Sequence, residues 1–352
     1  MRAATASLLA AAALLALAAP ASAQPACGQT ITEDTTLEAD LNCQEHGLVI
    51  GAPGITLDLA GHSINAAATA IRNEGHDDIT IRNGQIGVDT RGIVFTGVSG
   101  SVIRDIDFIG LQHAIDLFDS DDNRIVGNTL LSVWMALQEG SDGNVVRDNT
   151  VRGYEGFIRV SESSHNRVVE NVVESGQDTA IGVFASHHNR IARNTLATNY
   201  NTVATLRNSH DNEFVANAVS ARPGGPASPG LEVLDGASRN LVARNTFFGN
   251  TVGASIVSGA DNVLRRNSAS GGSGDGFLVG AAATGTVLQL NTAIGFADDG
   301  IDVDAAGTLI RRNTANDNGD LGIEAVAGVV DGGGNRARGN GNPLQCLNVA
   351  CR

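Results

Sequence analysis

The stretch Asp121–Asn267 opens with DDNRIVGN (Asp121–Asn128) and repeats this eight-residue pattern at nearly constant spacing. Each copy has an Asn, three alternating residues, a polar residue and a second Asn five positions after the first. The later copies are DGNVVRDN (Asp142–Asn149), SHNRVVEN (Ser164–Asn171), HHNRIARN (His187–Asn194), HDNEFVAN (His210–Asn217), SRNLVARN (Ser238–Asn245) and ADNVLRRN (Ala260–Asn267). With positions 291 and 313 included, the second Asn recurs after 21, 22, 23, 23, 28, 22, 24 and 22 residues. A period in the twenties predicts a solenoid, in which each repeat buries its apolar residues only against its neighbours.

The pattern inside each repeat decides which solenoid this is. Short alternating runs such as Arg124-Ile125-Val126 are separated by Gly, Asn, Asp and Ser, which is typical of strands joined by turns. No repeat contains a helical run of 10–12 residues or a leucine-rich frame. We therefore predict an all-β, right-handed parallel β-helix of one domain. About eleven or twelve coils, at roughly 4.8 Å per coil, give a rod of about 50–60 Å.

Asparagine is suited to the turns of such a coil. It tolerates the left-handed backbone region, and its amide bonds to nearby backbone groups. Identical Asn side chains one coil apart can also bond one another, as stacked Asn residues do in cross-β packing. We therefore expect an Asn ladder along the rod.

The repeats, together with the opening coil GITLDLAGHSI (Gly54–Ile64), resemble those of the secreted pectin-lyase-like superfamily. That superfamily includes pectate and alginate lyases, polygalacturonases, mannuronan epimerases and NosD-type repeat proteins. The resemblance covers roughly Thr30 to Asn342. It implies the fold and a polysaccharide partner held on the face of one sheet, but one fold hosts many chemistries.

The two ends differ from the repeats. Residues 1–23 have the Arg2, apolar run and Ala-Ser-Ala site of a secretory signal peptide, so we expect an exported protein, periplasmic or extracellular. Residues 24–65 are assigned to an N-terminal cap and first coil, 66–341 to the repeats, and 342–352 to a C-terminal cap. Four cysteines allow three pairings. We favour Cys27–Cys43 and Cys346–Cys351, because the rod separates the two pairs; a zinc site is the alternative, but the spacings fit no zinc pattern.

Composition narrows the partners. All 23 basic residues are Arg, and the net charge is −15, which argues against nucleic acid. No segment after the leader is apolar enough for membrane insertion, so we expect a monomer outside the membrane. The proline-rich insertion at 222–230 is expected to form a loop extruded from the coil.

The sheet that precedes each Asn pair is taken as the working face. Its outward residues, aligned coil by coil, are expected to be Asp116, Gln138, Arg159, Gly182, Thr205, Glu232, Ser255, Leu278, Asp302 and Glu324. The resemblance implies lyase or epimerase chemistry, for which Asp116, Glu139 and Arg159 are the catalytic candidates. Carboxylates would hold Ca²⁺ on a uronate, and Arg would act as base or neutralise charge. The alternative interpretation is an ordinary surface ion pair.

Substrate binding is assigned to side chains near this face. His113 lies at the entrance to the catalytic candidates and Glu232 on the face itself. Trp134, Tyr154 and Tyr200 fall five or six positions after the second Asn, so they are expected to share one turn. Aromatic rings in a groove suit stacking on sugars, and the alternative is that they fill the corner of the core.

Histidines form another pattern. His165, His187, His188 and His210 precede the first Asn of three successive coils, with Asp211 beside them. His165, His187, His210 and Asp211 are therefore candidate ligands for Zn²⁺ or Cu²⁺. The alternative is that this turn accepts His, Asp, Ser or Gly for its backbone shape.

The stretch Asp298-Asp299-Gly300-Ile301-Asp302, followed by Asp304, resembles the Asp-rich strand of polygalacturonase-like hydrolases. Two of these carboxyl groups could act as acid and base. The Gly-His-Gly and Arg-x-Lys segments of that family are missing.

Three functions follow as hypotheses. The first is a carbohydrate-active or carbohydrate-binding protein, with no obligatory cofactor and Ca²⁺ as the candidate ion. The second is a non-catalytic structural or adhesive rod. The third is a NosD-like periplasmic protein of a metal pathway that uses the histidines.

Overall fold

The computed structural model describes residues 24–110, 112–222 and 228–352. The expected leader and residues 223–227 of the expected extruded loop lie outside the described residues. In the described part every regular element is a β-strand, and all strand pairs run parallel, as the repeat predicts. The same residues contain no helix long and apolar enough to cross a membrane.

Each coil contributes one strand to a sheet that we call sheet A, which has 14 strands stacked in chain order. The strands of sheet A are Thr30–Ile31, Leu48–Ile50, Thr69–Glu74, Arg91–Thr96, His113–Phe118, Trp134–Gln138, Phe157–Ser161, Ile181–Phe184, Ala204–Arg207, Leu231–Leu234, Ala254–Ala260, Phe277–Thr284, Ile301–Val303 and Ile323–Ala325. The solenoid is therefore longer than the eleven or twelve coils expected, because its first coils lack the Asn pattern.

The rest of each coil lies in a second sheet, sheet B, usually as two short strands separated by the second Asn of the repeat. The strands of sheet B are Thr35–Thr36, Leu41–Cys43, Thr56–Asp58, Ser63–Ala66, Thr80–Val88, Val102–Gly110, Arg124–Val126, Thr129–Leu131, Val145–Arg147, Thr150–Gly153, Arg167–Val169, Val172–Ser175, Arg190–Ala192, Thr195–Thr198, Glu213–Val215, Ala218–Ala221, Leu241–Ala243, Thr246–Phe248, Val263–Arg265, Ser268–Ser270, Val287–Gln289, Thr292–Ile294, Leu309–Arg311, Thr314–Asn316, Val330–Asp331 and Arg336–Arg338.

The core consists of columns of stacked apolar residues. Ile125, Val146, Val168 and Ile191 are register partners on successive coils, and all are fully buried. Because side chains alternate along a strand, the residues on either side of each of these point outward. One alternating strand per side of the coil thus builds both a continuous core and three outer faces.

The Asn ladder is confirmed. The Nδ2 of Asn128 donates to the Oδ1 of Asn149 at 3.0 Å and to the carbonyl of Ile103 at 3.0 Å. The same side-chain bond continues from coil to coil down to Asn335. These side chains are almost fully buried, so every amide group is buried together with its hydrogen-bond partners.

Both expected disulfides are confirmed: Cys27 is bonded to Cys43, and Cys346 to Cys351. The first lies at the N-terminal end of the core, and the second packs against its last coil. The free edges of a solenoid are sites for unwanted strand pairing, and the covalently tied segments stand at both of them.

Candidate functional site

The outward column of sheet A agrees with the expected alignment in every coil but one. In strand register it consists of Asp116, Ala136, Arg159, Gly182, Thr205, Glu232, Ser255, Leu278, Asp302 and Glu324. The exception is the coil of Ala136, which stands where Gln138 was expected.

Glu139 therefore does not lie on the face beside Asp116. It is exposed in the turn after the strand Trp134–Gln138, in the left-handed region with φ of 54°. The cause is a bulge between His113 and Ile115, where the pairing to the next strand shortens from 21 to 20 residues. The expected side-by-side position of Asp116, Glu139 and Arg159 was wrong for Glu139.

Carboxyl groups converge near the other end of this face. We call Asp275, Asp298, Asp299, Asp302 and Glu324 the acidic cluster. One oxygen from each of Asp299, Asp302 and Glu324 lies within 4.8 Å of the other two, and the same holds for Asp275, Asp298 and Asp299. Asp302 and Glu324 are register partners in sheet A. The cluster thus spans three successive coils.

Turns hold two of these residues in place. The Oδ1 of Asp275 accepts the backbone N–H of Asp299 at 3.0 Å, and the Oδ1 of Asp299 accepts the N–H of Leu321 at 2.6 Å. Each side chain therefore ties its coil to the next, as the Asn ladder does elsewhere. This bonding occupies one oxygen and leaves the second to the cluster.

The electrostatics of the cluster follow from burial and from like charges. Burial, a hydrogen bond from Glu324 and the nearby Asp298 raise the pKa of Asp299 to about 8, although the bond from Leu321 opposes the shift. Burial and the neighbouring carboxylates, Asp304 first, raise the pKa of Asp302 to about 7. Burial likewise raises the pKa of Asp275. At neutral pH some of these carboxyl groups therefore keep a proton beside ionised neighbours.

Such an arrangement can do two kinds of chemistry. Paired carboxyl groups of unequal pKa act as proton donor and as base or nucleophile. Three convergent carboxylate oxygens also suit a hard cation such as Ca²⁺.

The predicted catalytic residue Asp116 lies in a different environment. Its side chain is 0 % exposed, and its Oδ1 lies 2.9 Å from the Nδ1 of His113. Its Oδ2 lies 3.7 Å from the Nε of Arg91. The ring of His113 stacks on Trp134 with centroids 3.8 Å apart. Asp116 thus orients His113 and cannot reach solvent itself.

Arg159 lies two coils further along the same column. Its guanidinium carbon is 5.1 Å from the centroid of the Phe184 ring, and its buried Nε has no hydrogen-bond partner among the described residues. Phe157 stands beside it, next to Trp134 in register. This end of sheet A is therefore an aromatic surface with one imidazole and one guanidinium group.

Two of the predicted stacking residues are exposed. Tyr154 is 57 % and Tyr200 64 % exposed, in turns that precede sheet A strands. Trp134 instead starts its strand and is half-buried. Glu232 lies on the face, where its Oε2 accepts the hydroxyl of Thr202. The two Tyr rings are therefore available to a ligand, whereas Trp134 is packed against His113.

The histidines stack in pairs. His187 and His210 have ring centroids 5.0 Å apart, and those of His165 and His188 are 5.2 Å apart. The Nδ1 atoms of His187 and His188 lie 3.0 Å from each other. Burial and then the neighbouring imidazoles lower the pKa of His187.

The fifth candidate ligand of this group is already engaged. Asp211 accepts two hydrogen bonds from Arg239, at 2.9 and 2.7 Å, and one from His210. These contacts, that of Arg239 first, lower the pKa of Asp211 to about 2. Within the described ranges, the sets of three convergent donor atoms are formed by carboxylates of the acidic cluster and include no histidine.

Sequence reasoning noticed Asp299 and Asp302 but missed two partners. Asp275 belongs to the preceding coil, in a stretch of Gly and Ser with no repeat motif. Glu324 was aligned correctly on the face but was not connected with Asp302. Counting carboxyl groups column by column, instead of along the chain, would have found the pair.

Comparisons with known proteins agree with this architecture. The sequence matches the family described as periplasmic copper-binding protein (NosD) over residues 64–263, and that of the right-handed beta helix region over 201–341. A search of curated proteins gave no significant match.

Solved structures share the fold. DFA-IIIase from Arthrobacter chlorophenolicus A6 is 15% identical over 73% of this chain and 82% of that chain, with a TM-score of 0.55. Tailspike protein 3 of Bacteriophage CBA120 is 12% identical over 92% of this chain and 56% of that chain, also at 0.55. The periplasmic alginate epimerase AlgG is 13% identical over 82% and 78%, at 0.44.

The fold is thus one shared by carbohydrate-active enzymes and by NosD. The two disulfides and the match to a periplasmic family indicate an extracytoplasmic location. Because the first family match covers more than half of the 352 residues, the chain belongs to the NosD family of periplasmic copper-binding proteins.

Proposed function

We propose that this protein is an exported polysaccharide-active enzyme that holds a neutral glycan along sheet A and cleaves it at the acidic cluster. The observation that carries the proposal is the convergence of Asp299, Asp302 and Glu324, with the pKa of Asp302 near 7. A carboxyl group that is protonated near neutral pH beside a second carboxyl group is the central requirement of glycoside hydrolysis.

The roles follow from position. Asp302 faces outward and donates its proton to the glycosidic oxygen as the bond breaks. Glu324, its neighbour in register, attacks the anomeric carbon, and water then releases the sugar with Asp302 as base. Oxygen separations within 4.8 Å are close to the roughly 5–5.5 Å of retaining enzymes and below the 6.5–9.5 Å of inverting ones. We therefore expect retention of configuration.

Charge favours a neutral substrate. The acidic cluster and the net charge of −15 would repel the carboxylates of a polyuronate at this point of the face. The exposed rings of Tyr154 and Tyr200 lie before strands of the same sheet and suit stacking on sugar rings. A glycan long enough to run from these rings to the cluster would use most of the rod.

The test is an assay of the mature protein on a panel of neutral glycans and polyuronates, with and without Ca²⁺. Release of reducing ends from a neutral glycan, lost in Asp302→Asn and Glu324→Gln but kept in Glu232→Gln, is the expected result. Glu232 is the matched control, because it is a carboxylate of the same column outside the cluster.

Two results would overturn the assignment. Unsaturated or epimerised uronate, lost in His113→Ala or Arg159→Ala, would instead support lyase or epimerase chemistry at the predicted Asp116–Arg159 region. Tight Ca²⁺ binding that depends on Asp299, without turnover of any glycan, would make the cluster a cation site in a binding protein or structural rod.

The copper implied by the family description does not fit the described residues. The sets of three convergent donors found among them are all carboxylates, whereas copper sites are built from imidazole and sulfur ligands. Only two nitrogen atoms, those of His187 and His188, face each other, and Asp211 is bonded to Arg239. We therefore assign no step to copper.

A further inference from the structure

A groove runs along the outside of sheet B at the turn of the second Asn, across the coil from sheet A. Its largest section has a volume of about 430 Å³ and is lined by strands and turns of four successive coils, from Arg190 to Arg266. A narrower section precedes it between Arg124 and Arg193, at the same turn of earlier coils. The groove is therefore parallel to the rod axis.

The floor of the groove is apolar. Val169, Ala192, Val215 and Ala243 are register partners on four coils and form a cluster separate from the main core. They point outward, yet each is less than 10 % exposed. The side chains of the groove walls cover them, so the floor is a shallow strip without a deep pocket.

Arginines form the walls, and they differ from one end to the other. At the early end, Arg190 is paired with Glu213, and Arg193 with Glu170. At the later end, Arg244, Arg265 and Arg266 are exposed, and none of them forms an ion pair with a described residue. Three unpaired guanidinium groups thus meet over the floor of a protein whose net charge is −15.

Their spacing is set by the coil. Arg244 and Arg266 occupy the same turn position one coil apart, both in the left-handed region, so their backbones are separated by about 4.8 Å. Arg265 lies on the strand, in the column that continues the apolar floor. The result is a strip of positive charge with a repeat of about one coil, beside an apolar strip.

We propose that this groove binds an anionic polysaccharide chain, such as a polyuronate, laid parallel to the rod axis. Guanidinium groups bind carboxylates through paired hydrogen bonds, and the C–H faces of sugar rings suit a flat apolar floor. An extended acidic peptide fits less well, because all strands here are paired on both sides and offer no backbone edge for strand addition.

The site is separate from the acidic cluster and does not rest on the proposed enzymatic function. It would anchor the rod on an acidic polymer while sheet A faces another glycan. The variant Asp302→Asn should abolish turnover and leave binding to the groove unchanged, so the two proposals fail independently.

The test measures binding of the full mature protein to polygalacturonate, polyglutamate and dextran at fixed ionic strength. The groove variant is the triple substitution Arg244→Gln, Arg265→Gln, Arg266→Gln. Its control is Arg72→Gln, Arg104→Gln, Arg207→Gln, which removes the same charge from arginines that pair with Glu74, Asp105 and Asp235 outside the groove.

We expect the groove variant to bind polygalacturonate about 10-fold more weakly, and the control to stay within about 2-fold, because distant exposed charges are screened. The triple Arg→Lys variant keeps the charge and should retain most of the affinity, which covers the case in which the Gln variant folds poorly. Equal losses in both Gln variants would reduce the effect to net charge. No loss in either, or tighter binding of polyglutamate, would overturn the proposal.

Discussion

Asp302 lies directly beside Glu324 on adjacent strands of sheet A, and both face outward. Two carboxyl groups at this distance do not ionise independently, and the pKa of Asp302 rises to about 7 through burial and through its neighbours. Asp302 therefore remains a proton donor at a pH where an ordinary aspartate would not.

Turnover should accordingly fall as the pH rises through about 7, where Asp302 loses its proton. Asp302→Asn should lower kcat about 100-fold or more without weakening glycan binding. Asp304→Asn is the matched control, since its charge is the largest single carboxylate contribution at Asp302. It should keep the activity and move the alkaline limb to lower pH. A pH–rate profile of the three proteins measures this, and identical profiles would contradict the assignment.

The stability of the rod should also depend on Asp299. Its pKa is raised from 3.8 in the unfolded chain to about 8 in the folded protein, so the folded state favours the protonated form. Stability is then greatest below about pH 4 at this site and decreases as the pH rises to 8. Asp299→Asn should raise the melting temperature at pH 8 and change it little at pH 4. A decrease at pH 8 would show that the charged form is needed.

The Asn ladder should carry much of the stability. Asn194 donates to the Oδ1 of Asn217 and the carbonyl of Val168, and it accepts both the backbone and side-chain N–H groups of Asn171. Asn194→Ala leaves buried donors unpaired and should cost about 3 kcal/mol of unfolding free energy. Thr195→Ala, at the exposed next position, should change it by less than about 0.5 kcal/mol. Chemical denaturation would measure both.

Asp116 should matter to the fold of the aromatic end of sheet A. Asp116→Ala leaves His113 and Arg91 without their buried partner and should cost about 2 kcal/mol, less than a fully buried pair because both partners reach solvent. Asp320→Ala, an exposed carboxylate with no ion pair among the described contacts, serves as control. If Asp116→Ala unfolds at the wild-type denaturant concentration, the His113 interaction is not structural.

The exposed rings of Tyr154 and Tyr200 should contribute to glycan binding and not to stability. The double variant Tyr154→Ala, Tyr200→Ala should weaken glycan retention by about 5-fold or more while the melting temperature stays unchanged. Tyr→Phe at both positions keeps the rings and should bind normally. Affinity electrophoresis in a glycan-containing gel distinguishes these outcomes, and equal retention of all three proteins would remove the rings from the site.

The fold could be predicted from the sequence because one physical feature, the Asn at each turn, marks every regular coil. The alternation around Ile125 and Val146 then determined which residues face outward. The prediction lost register only where the bulge at His113 and Ile115 shortens the coil, which displaced Glu139. A bulge leaves no mark in the spacing of the Asn residues, so it could not have been foreseen.

The site was harder to predict because it depends on burial and on contacts between coils. Nothing in the alternation shows that Asp116 is fully enclosed or that Asp211 is bonded to Arg239. The convergence of Asp275 with Asp299 depends on a Gly-rich coil whose path no motif defines. Chemistry that crosses from coil to coil becomes visible only when the strands are in register.

The Asn ladder has a consequence for the length of the molecule. Every coil contacts only its two neighbours, so one complete repeat between Thr195 and Asn217 could be removed and the cut coils rejoined in the same register. The surface at His113 and the carboxyl groups at Asp302 would each remain intact, but they would stand about 4.8 Å closer. The protein is in this sense a molecular ruler, graduated in single coils, and its reach along a polymer can be changed one graduation at a time.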